Sequence, residues 1–167
     1  NRLIALPPKT RNELAQELCD AGTAIELYAG LQTEASVYLG RIGGYACGVV
    51  AASGRFDSAG CEKITGLVKF CDAYDLPVVT LVDSEGLEMP EQKGLASLMK
   101  ASGRLLSAYA QATTPKIAVI TGNAVGAAYV SLAGKALSDI SYAWPTAYVA
   151  PLSADAAVQT FMLDELR

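Results

Sequence analysis

Apolar positions change their spacing from segment to segment along this chain, and the spacing predicts the elements. In "KTRNELAQELCDAG", residues 9–22, Leu14, Ala15 and Leu18 share one face. Thr10 is placed as N-cap, Glu13 comes three residues on and Gly22 stands past the end, so a short helix is expected. Three strand-like runs come next, "AIELYA", "ASVYLGRIG" and "YACGVVAA", the last two joined through Gly43-Gly44 as a hairpin. From "SAGCEKITGLVKFCDAYDLP" the order becomes helix then strand: Ile64, Leu67, Val68 and Cys71 make a helical stripe, and "LPVVTLVD" is apolar without alternation. A strand apolar on both faces belongs to a sheet covered on both sides.

The remainder continues the alternation. A polar loop is expected at "SEGLEMPEQKG", a helix over Leu95 to Ala112, a break at Pro115 and a buried strand at "KIAVIT". A short helix over Gly126 to Gly134, strands at "ISYAW" and "AYVA", and a closing helix from Asp155 to Glu165 capped by Ser153 complete the pattern. Repeated strand-helix units predict an α/β layered domain. No internal repeat, low-complexity tract or linker interrupts it, and 167 residues, 51% of them hydrophobic, suffice for one core, so residues 1–167 are expected to be a single domain. The opening Asn1 and the abrupt end at "FMLDELR" suggest a fragment or a processed form and not a natural full length.

Charge and cysteine usage narrow the function classes. A net charge of −4 without a basic run argues against a nucleic-acid surface. Cys19, Cys47, Cys61 and Cys71 lack C-x-x-C spacing, and with no His the chain offers no zinc site, so no metal is expected. Structural, reduced thiols, with no apolar run of membrane-spanning length, fit a cytoplasmic setting without membrane insertion.

With His absent, a Ser-His-Asp or Cys-His arrangement cannot be built within the chain. Asp83, Glu85 and Glu88 are candidates for acid-base work, although carboxylates in a polar loop are ordinarily solvated. Lys93 and Lys100 flank the next helix and are candidate phosphate contacts, although lone lysines near a helix start are more often surface charges. "ITGNAVGAAYVSLAG", residues 120–134, offers a different chemistry. The strand runs into Gly122, and Gly126, Ala127 and Ala128 then start a helix whose first N–H groups have no partner within it. Small residues there let a ligand oxygen approach main-chain donors, as in an oxyanion hole. The same small residues also permit plain close packing.

The series "GRIGGYACGVVAA", "EKITGLVKFCDAYDLPVVTLVD", "GRLLSAYAQATTPKIAVITGNAVGAAYVSLAG" and "SYAWPTAYVA" resembles the carboxyl-terminal half of the biotin-dependent carboxyltransferases, the acyl-CoA carboxylase β subunits and acyl-CoA decarboxylases. Phe70-Cys71-Asp72-Ala73, the strand after Pro77 and Tyr142-Ala143-Trp144-Pro145-Thr146 carry that resemblance by order and spacing. It implies a crotonase (ClpP-like) fold of stacked ββα units and transfer of a carboxyl group between carboxybiotin and an acyl-CoA. The implied partners are a biotin carboxyl carrier protein or domain, the amino-terminal carboxyltransferase half and further copies of the chain in an oligomer. The implied cofactor is biotin, held on the carrier.

By the same resemblance the backbone of Gly126, Ala127 and Ala128 forms the catalytic oxyanion hole, with Ala127 and Ala128 as donors, while Asp83, Ser84, Gly86 and Val130 lie at substrate-binding positions. The chain departs from the family pattern in places. Gly122, Asn123 and Val125 stand where Arg-Lys and a Tyr are usual, Val130 where Asp is frequent, and Asp83-Ser84-Glu85-Gly86-Leu87 replaces Asp-Thr-Pro-Gly-Phe. Two other readings stay open: a catalytically weakened scaffold that docks a biotin carrier, and a biotin-independent hydratase or isomerase of the same fold, because a fold does not fix a function.

Overall fold

Strands succeed one another across a single seven-stranded sheet almost in chain order, in a computed structural model that describes residues 11–90 and 92–161. The strands are β1 (Ile25–Leu27), β2 (Ala35–Ile42), β3 (Tyr45–Phe56), β4 (Val78–Leu87), β5 (Lys116–Val125), β6 (Ile140–Ala143) and β7 (Tyr148–Ala150). The helices are α1 (Arg11–Leu18), α2 (Ser58–Ala73), α3 (Gln92–Gln111) and α4 (Ala154–Phe161), with a five-residue π-helix at Tyr129–Ala133. β1, β2 and β3 pair antiparallel, whereas β3, β4 and β5 are parallel neighbours connected through α2 and α3. The free edge of β5 is shared: β6 pairs with its first half and β7 with its last residues.

The expected hairpin is present. Gly43 (φ 59°) and Gly44 (φ 85°) supply the two positive φ angles that a tight turn between β2 and β3 requires. Asp20, just after α1, completes it: one carboxylate oxygen accepts the Gly43 N–H at 2.9 Å and the other the Gly44 N–H at 2.7 Å.

The sheet separates two apolar layers. On one face α2 buries Cys61, Ile64, Leu67, Val68 and Cys71, and α3 buries Leu98, Ala101, Leu105, Ala108 and Tyr109, against Val50, Val78 and Val82. On the other, Ala15 and Cys19 from α1 and its exit meet Tyr38, Cys47, Val49 and Leu81. Asp57 caps α2, accepting the Gly60 N–H at 2.8 Å. Ser153 caps α4 as expected, its hydroxyl accepting the Ala156 N–H at 3.3 Å. The Thr10 cap of α1 and the continuation of the closing helix to Glu165 lie outside the described residues.

Element ends differ from the sequence expectation mainly at one end of the sheet. "SEGL" is the end of β4 and not a loop, and β5 continues past "KIAVIT" to Val125. β3 likewise runs on to Phe56, since Arg55 and Phe56 pair with Gly86 and Leu87. Pairing with a neighbouring strand overrides the loop-like composition of these residues.

Candidate active site

The carboxyl ends of β3, β4 and β5 lie side by side, the position at which parallel α/β sheets characteristically present ligands. Each strand pair is irregular there. Between β3 and β4 the register passes from Gly54↔Ser84 to Arg55↔Gly86, so Glu85 is an extra residue. Between β4 and β5 it passes from Val82↔Ile120 to Ser84↔Ala124, so Asp83 alone faces Thr121, Gly122 and Asn123. Bulges of this kind bend a strand end and re-aim the residues beyond it.

Ser84 sits between the two irregularities and is fully buried. Its hydroxyl donates to the Gly54 carbonyl at 2.7 Å and accepts the Gly86 N–H at 3.2 Å. Gly86 has φ 119°, beyond the ordinary range of a side-chain-bearing residue, and a Cβ there would meet only the Val125 carbonyl oxygen, at 3.6 Å. Asp83 turns toward β5, where one oxygen accepts the Asn123 N–H at 2.7 Å. A Cβ on Gly122 would lie 2.2 Å from the Asp83 carboxyl carbon. The bulge and its contact with Asp83 are absent from the sequence expectation, although an isolated glycine inside a strand pattern is a signal for one.

β5 then leads into the turn. Gly126 has φ 57°, and its N–H donates to the Ala150 carbonyl at 3.0 Å, tying the turn to β7. The Val130 N–H donates back to the Gly126 carbonyl at 3.1 Å. Neither the Ala127 nor the Ala128 N–H is a donor in any of the turn, loop and cap hydrogen bonds among the described residues. Ala127 is exposed, whereas Ala128 is fully buried and packs with Leu132 and Ala133 in the larger core layer. The expected short helix is the π-helix that begins at Tyr129, a form often found beside functional sites. Val130, 52% exposed, projects from it one turn beyond Ala127.

The acid-base trio is not gathered. Asp83 faces β5, Glu85 forms an exposed ion pair with Arg55 at 3.5 Å, and Glu88 borders a separate polar cleft of about 410 Å³ that also holds Glu26, Glu34 and Lys63. Lys93 and Lys100 are exposed on α3. The thiols are equally poor nucleophiles: burial pushes Cys61 and Cys71 up to about 12 and Cys47 up to about 11, and raises Cys19. All four cysteines are free and buried. Among the described residues no group of three or more His, Cys, Asp and Glu side chains is placed to hold a metal ion, and no helix is long and apolar enough to cross a membrane.

The chain is 37% identical over 156 residues to the propionyl-CoA carboxylase beta chain of Saccharopolyspora erythraea, a match covering 90% of this chain and 29% of that protein. It is 36% identical over 157 residues to the biotin-dependent acetyl-/propionyl-coenzyme A carboxylase beta5 subunit of Mycobacterium leprae, again 90% of this chain and 29% of the relative. The chain thus spans less than a third of the length of these relatives. Among solved structures, the transcarboxylase 12S hexamer with methylmalonyl-coenzyme A and methylmalonic acid bound superposes with a TM-score of 0.84 at 28% identity, over 97% of this chain and 32% of that one. The fold is the crotonase-like fold of the carboxyltransferases. Residues 7–166 match the carboxyl transferase domain model, and the chain belongs to the carboxyl transferase domain family.

Proposed function

We propose that this chain is the carboxyl-terminal-type domain of a biotin-dependent acyl-CoA carboxyltransferase, and that it handles the biotin side of the reaction. The observation that carries the reading is the Gly126 turn at the end of β5, where the exposed Ala127 presents an N–H engaged in none of the neighbouring turn and loop bonds. Carboxybiotin, delivered on its carrier protein, supplies the carboxyl group. The domain supplies fixed dipoles and no titrating side chain. Ala127 is the leading donor to the oxygen on which charge develops, and Ala128, buried just behind it, is the second where that oxygen enters the turn. The bond from the Gly126 N–H to Ala150 holds the turn rigid, so little reorganisation is needed when charge appears.

The residues fit such a ligand. At Gly86 the missing side chain leaves room beside the Val125 carbonyl, and Ala127 adds only a methyl group. Asp83, Ser84 and Gly86 shape the adjoining wall through the strand ends, and exposed Val130 lines the approach of the acyl chain. The acyl-CoA, the amino-terminal half and further copies of the chain complete the site.

The test uses the protein that contains this chain together with its biotin carrier. Radiolabelled carboxyl exchange between the carrier and acetyl-, propionyl- and methylmalonyl-CoA is measured for the wild type and for Ala127→Pro, which removes the donor. Exchange is expected with at least one acyl-CoA, falling about 10²- to 10³-fold in the variant, as for loss of one oxyanion donor. Absence of exchange with every acyl-CoA, together with retained carrier binding, would support a scaffold instead.

A further inference from the structure

We propose that Asp83 is a positioning residue for the amide donors of the Gly126 turn, acting through the bulge of β5 and not through contact with substrate; this rests on the oxyanion role proposed for that turn.

The register shows what the carboxylate does. Over the two steps from Val82 to Ser84 on β4, β5 advances four, from Ile120 to Ala124. The surplus backbone of Thr121, Gly122 and Asn123 must leave the ladder, and the amides in it lose their regular partners. Asp83 restores one of them by accepting the Asn123 N–H at 2.7 Å. The Thr121 hydroxyl secures the start of the bulge on the Val82 carbonyl at 3.3 Å.

Space is committed as fully as hydrogen bonding. The two Asp83 oxygens would lie 2.3 and 2.6 Å from a Cβ on Gly122, so the carboxylate occupies the volume that any side chain at residue 122 would need. Gly122 and Asp83 are therefore one device. The absence of the Arg-Lys pair that the resemblance leads one to expect at residues 122 and 123 is what lets the carboxylate turn inward.

From the bulge to the turn the chain has no slack. Asn123, Ala124 and Val125 pair with Tyr148, Val149 and Ala150, and Gly126 donates to Ala150. Ala124 and Val125 are buried. Where Asn123 is held thus fixes where Ala127 presents its N–H four residues later. With the carboxylate gone, the Asn123 N–H is left in the bulge without its acceptor, and the turn inherits the added motion.

The experiment has two readouts. Amide hydrogen exchange on the chain itself compares wild type, Asp83→Asn, Asp83→Ala and Gly122→Ala. In Asp83→Ala, exchange at Asn123 and at Gly126, whose N–H is bonded to the Ala150 carbonyl, is expected to rise about tenfold or more, while the β2–β3 hairpin keeps its protection. Asp83→Asn, which retains an acceptor oxygen, stays near wild type. Gly122→Ala, which expels the carboxylate by crowding, reproduces Asp83→Ala and serves if that variant is poorly folded. In the carboxyl-exchange assay, Asp83→Ala lowers kcat about a hundredfold, the scale of a donor misplaced by about 1 Å, with KM for acyl-CoA little changed and Asp83→Asn restoring most of the rate. Unaltered exchange at Gly126 in both Asp83→Ala and Gly122→Ala would overturn the proposal, as would Asp83→Asn behaving like Asp83→Ala. The amide readout needs no turnover, so it decides the point even if the chain proves to transfer no carboxyl group.

Discussion

The thiol of Cys71, on α2, lies where a side chain at Gly48, on β3, would begin: a Cβ built on Gly48 would be 2.4 Å from the sulfur and 3.3 Å from a methyl of Leu67. The helix reaches the sheet this closely only because residue 48 has no side chain. Gly48→Ala is therefore expected to destabilise the fold by about 1–3 kcal/mol through overpacking. Adding Cys71→Ala removes the crowded atom, so the double variant should be more stable than the sum of the single effects by about 1 kcal/mol. Urea midpoints of the four proteins in the cycle measure this, and strict additivity would show that the helix simply shifts outward.

A second contact predicts a stabilising role for a carboxylate that looks dispensable in the sequence. Asp20 accepts both amides of the Gly43-Gly44 turn, which ties the end of α1 to the β2–β3 hairpin. Asp20→Ala leaves both donors to water and is expected to cost about 1–2 kcal/mol, with Asp20→Asn intermediate because it keeps one acceptor oxygen for the two N–H groups and carries no charge. Thermal unfolding of the two variants would test the order, and Asn falling below Ala would contradict it.

How much of the fold is legible in the sequence varies with how local the cause is. The spacing of Leu98, Ala101, Leu105 and Ala108 makes a single helical stripe, so α3 is readable to within three residues at its start. Gly43-Gly44 announces its turn because positive φ at adjacent residues is a property of those residues. The ends of β3, β4 and β5 are not readable, because Ser84, Gly86 and Asn123 become strand only by pairing with distant backbone. The same holds for the candidate site. Gly126 and its two alanines stand out as a turn, but that Ala127 is exposed while Ala128 is buried depends on packing with Leu132 and Ala133. Nor does any local feature show that Asp83 points at Gly122, since the two are linked only by the bulge.

Alkaline pH should unfold the domain, and the thiols set the sign. Burial raises Cys61 and Cys71 from an ordinary value of 9.0 to about 12 and Cys47 to about 11. Above pH 9 the unfolded chain has lost protons that the folded chain retains, so stability, complete below that point, declines as pH rises toward 11–12. Each such thiol contributes a slope of about 1.4 kcal/mol per pH unit. Denaturation at about pH 8, 9, 10 and 10.5 should show a plateau and then a fall, shallower by one proton in Cys71→Ala. A profile equally steep in that variant would place the linkage elsewhere.

One polar pair is enclosed by the larger apolar layer, and it separates two kinds of loss. The hydroxyls of Thr80, on β4, and Tyr109, on α3, lie 2.8 Å apart, both residues almost fully buried. Burial holds the Tyr109 hydroxyl protonated far into the alkaline range, despite the opposing effect of its bond to Thr80. Removing either partner strands the other away from water, so Tyr109→Phe and Thr80→Val are each expected to cost about 1–3 kcal/mol. Removing both leaves two apolar groups of nearly the same shape and no orphan, so the double variant should lie close to wild type. Should it instead stay as unstable as the single variants, the pair would be contributing net hydrogen-bond energy to the fold, whereas a loss equal to the two single losses combined would mean that the two hydroxyls do not act through each other.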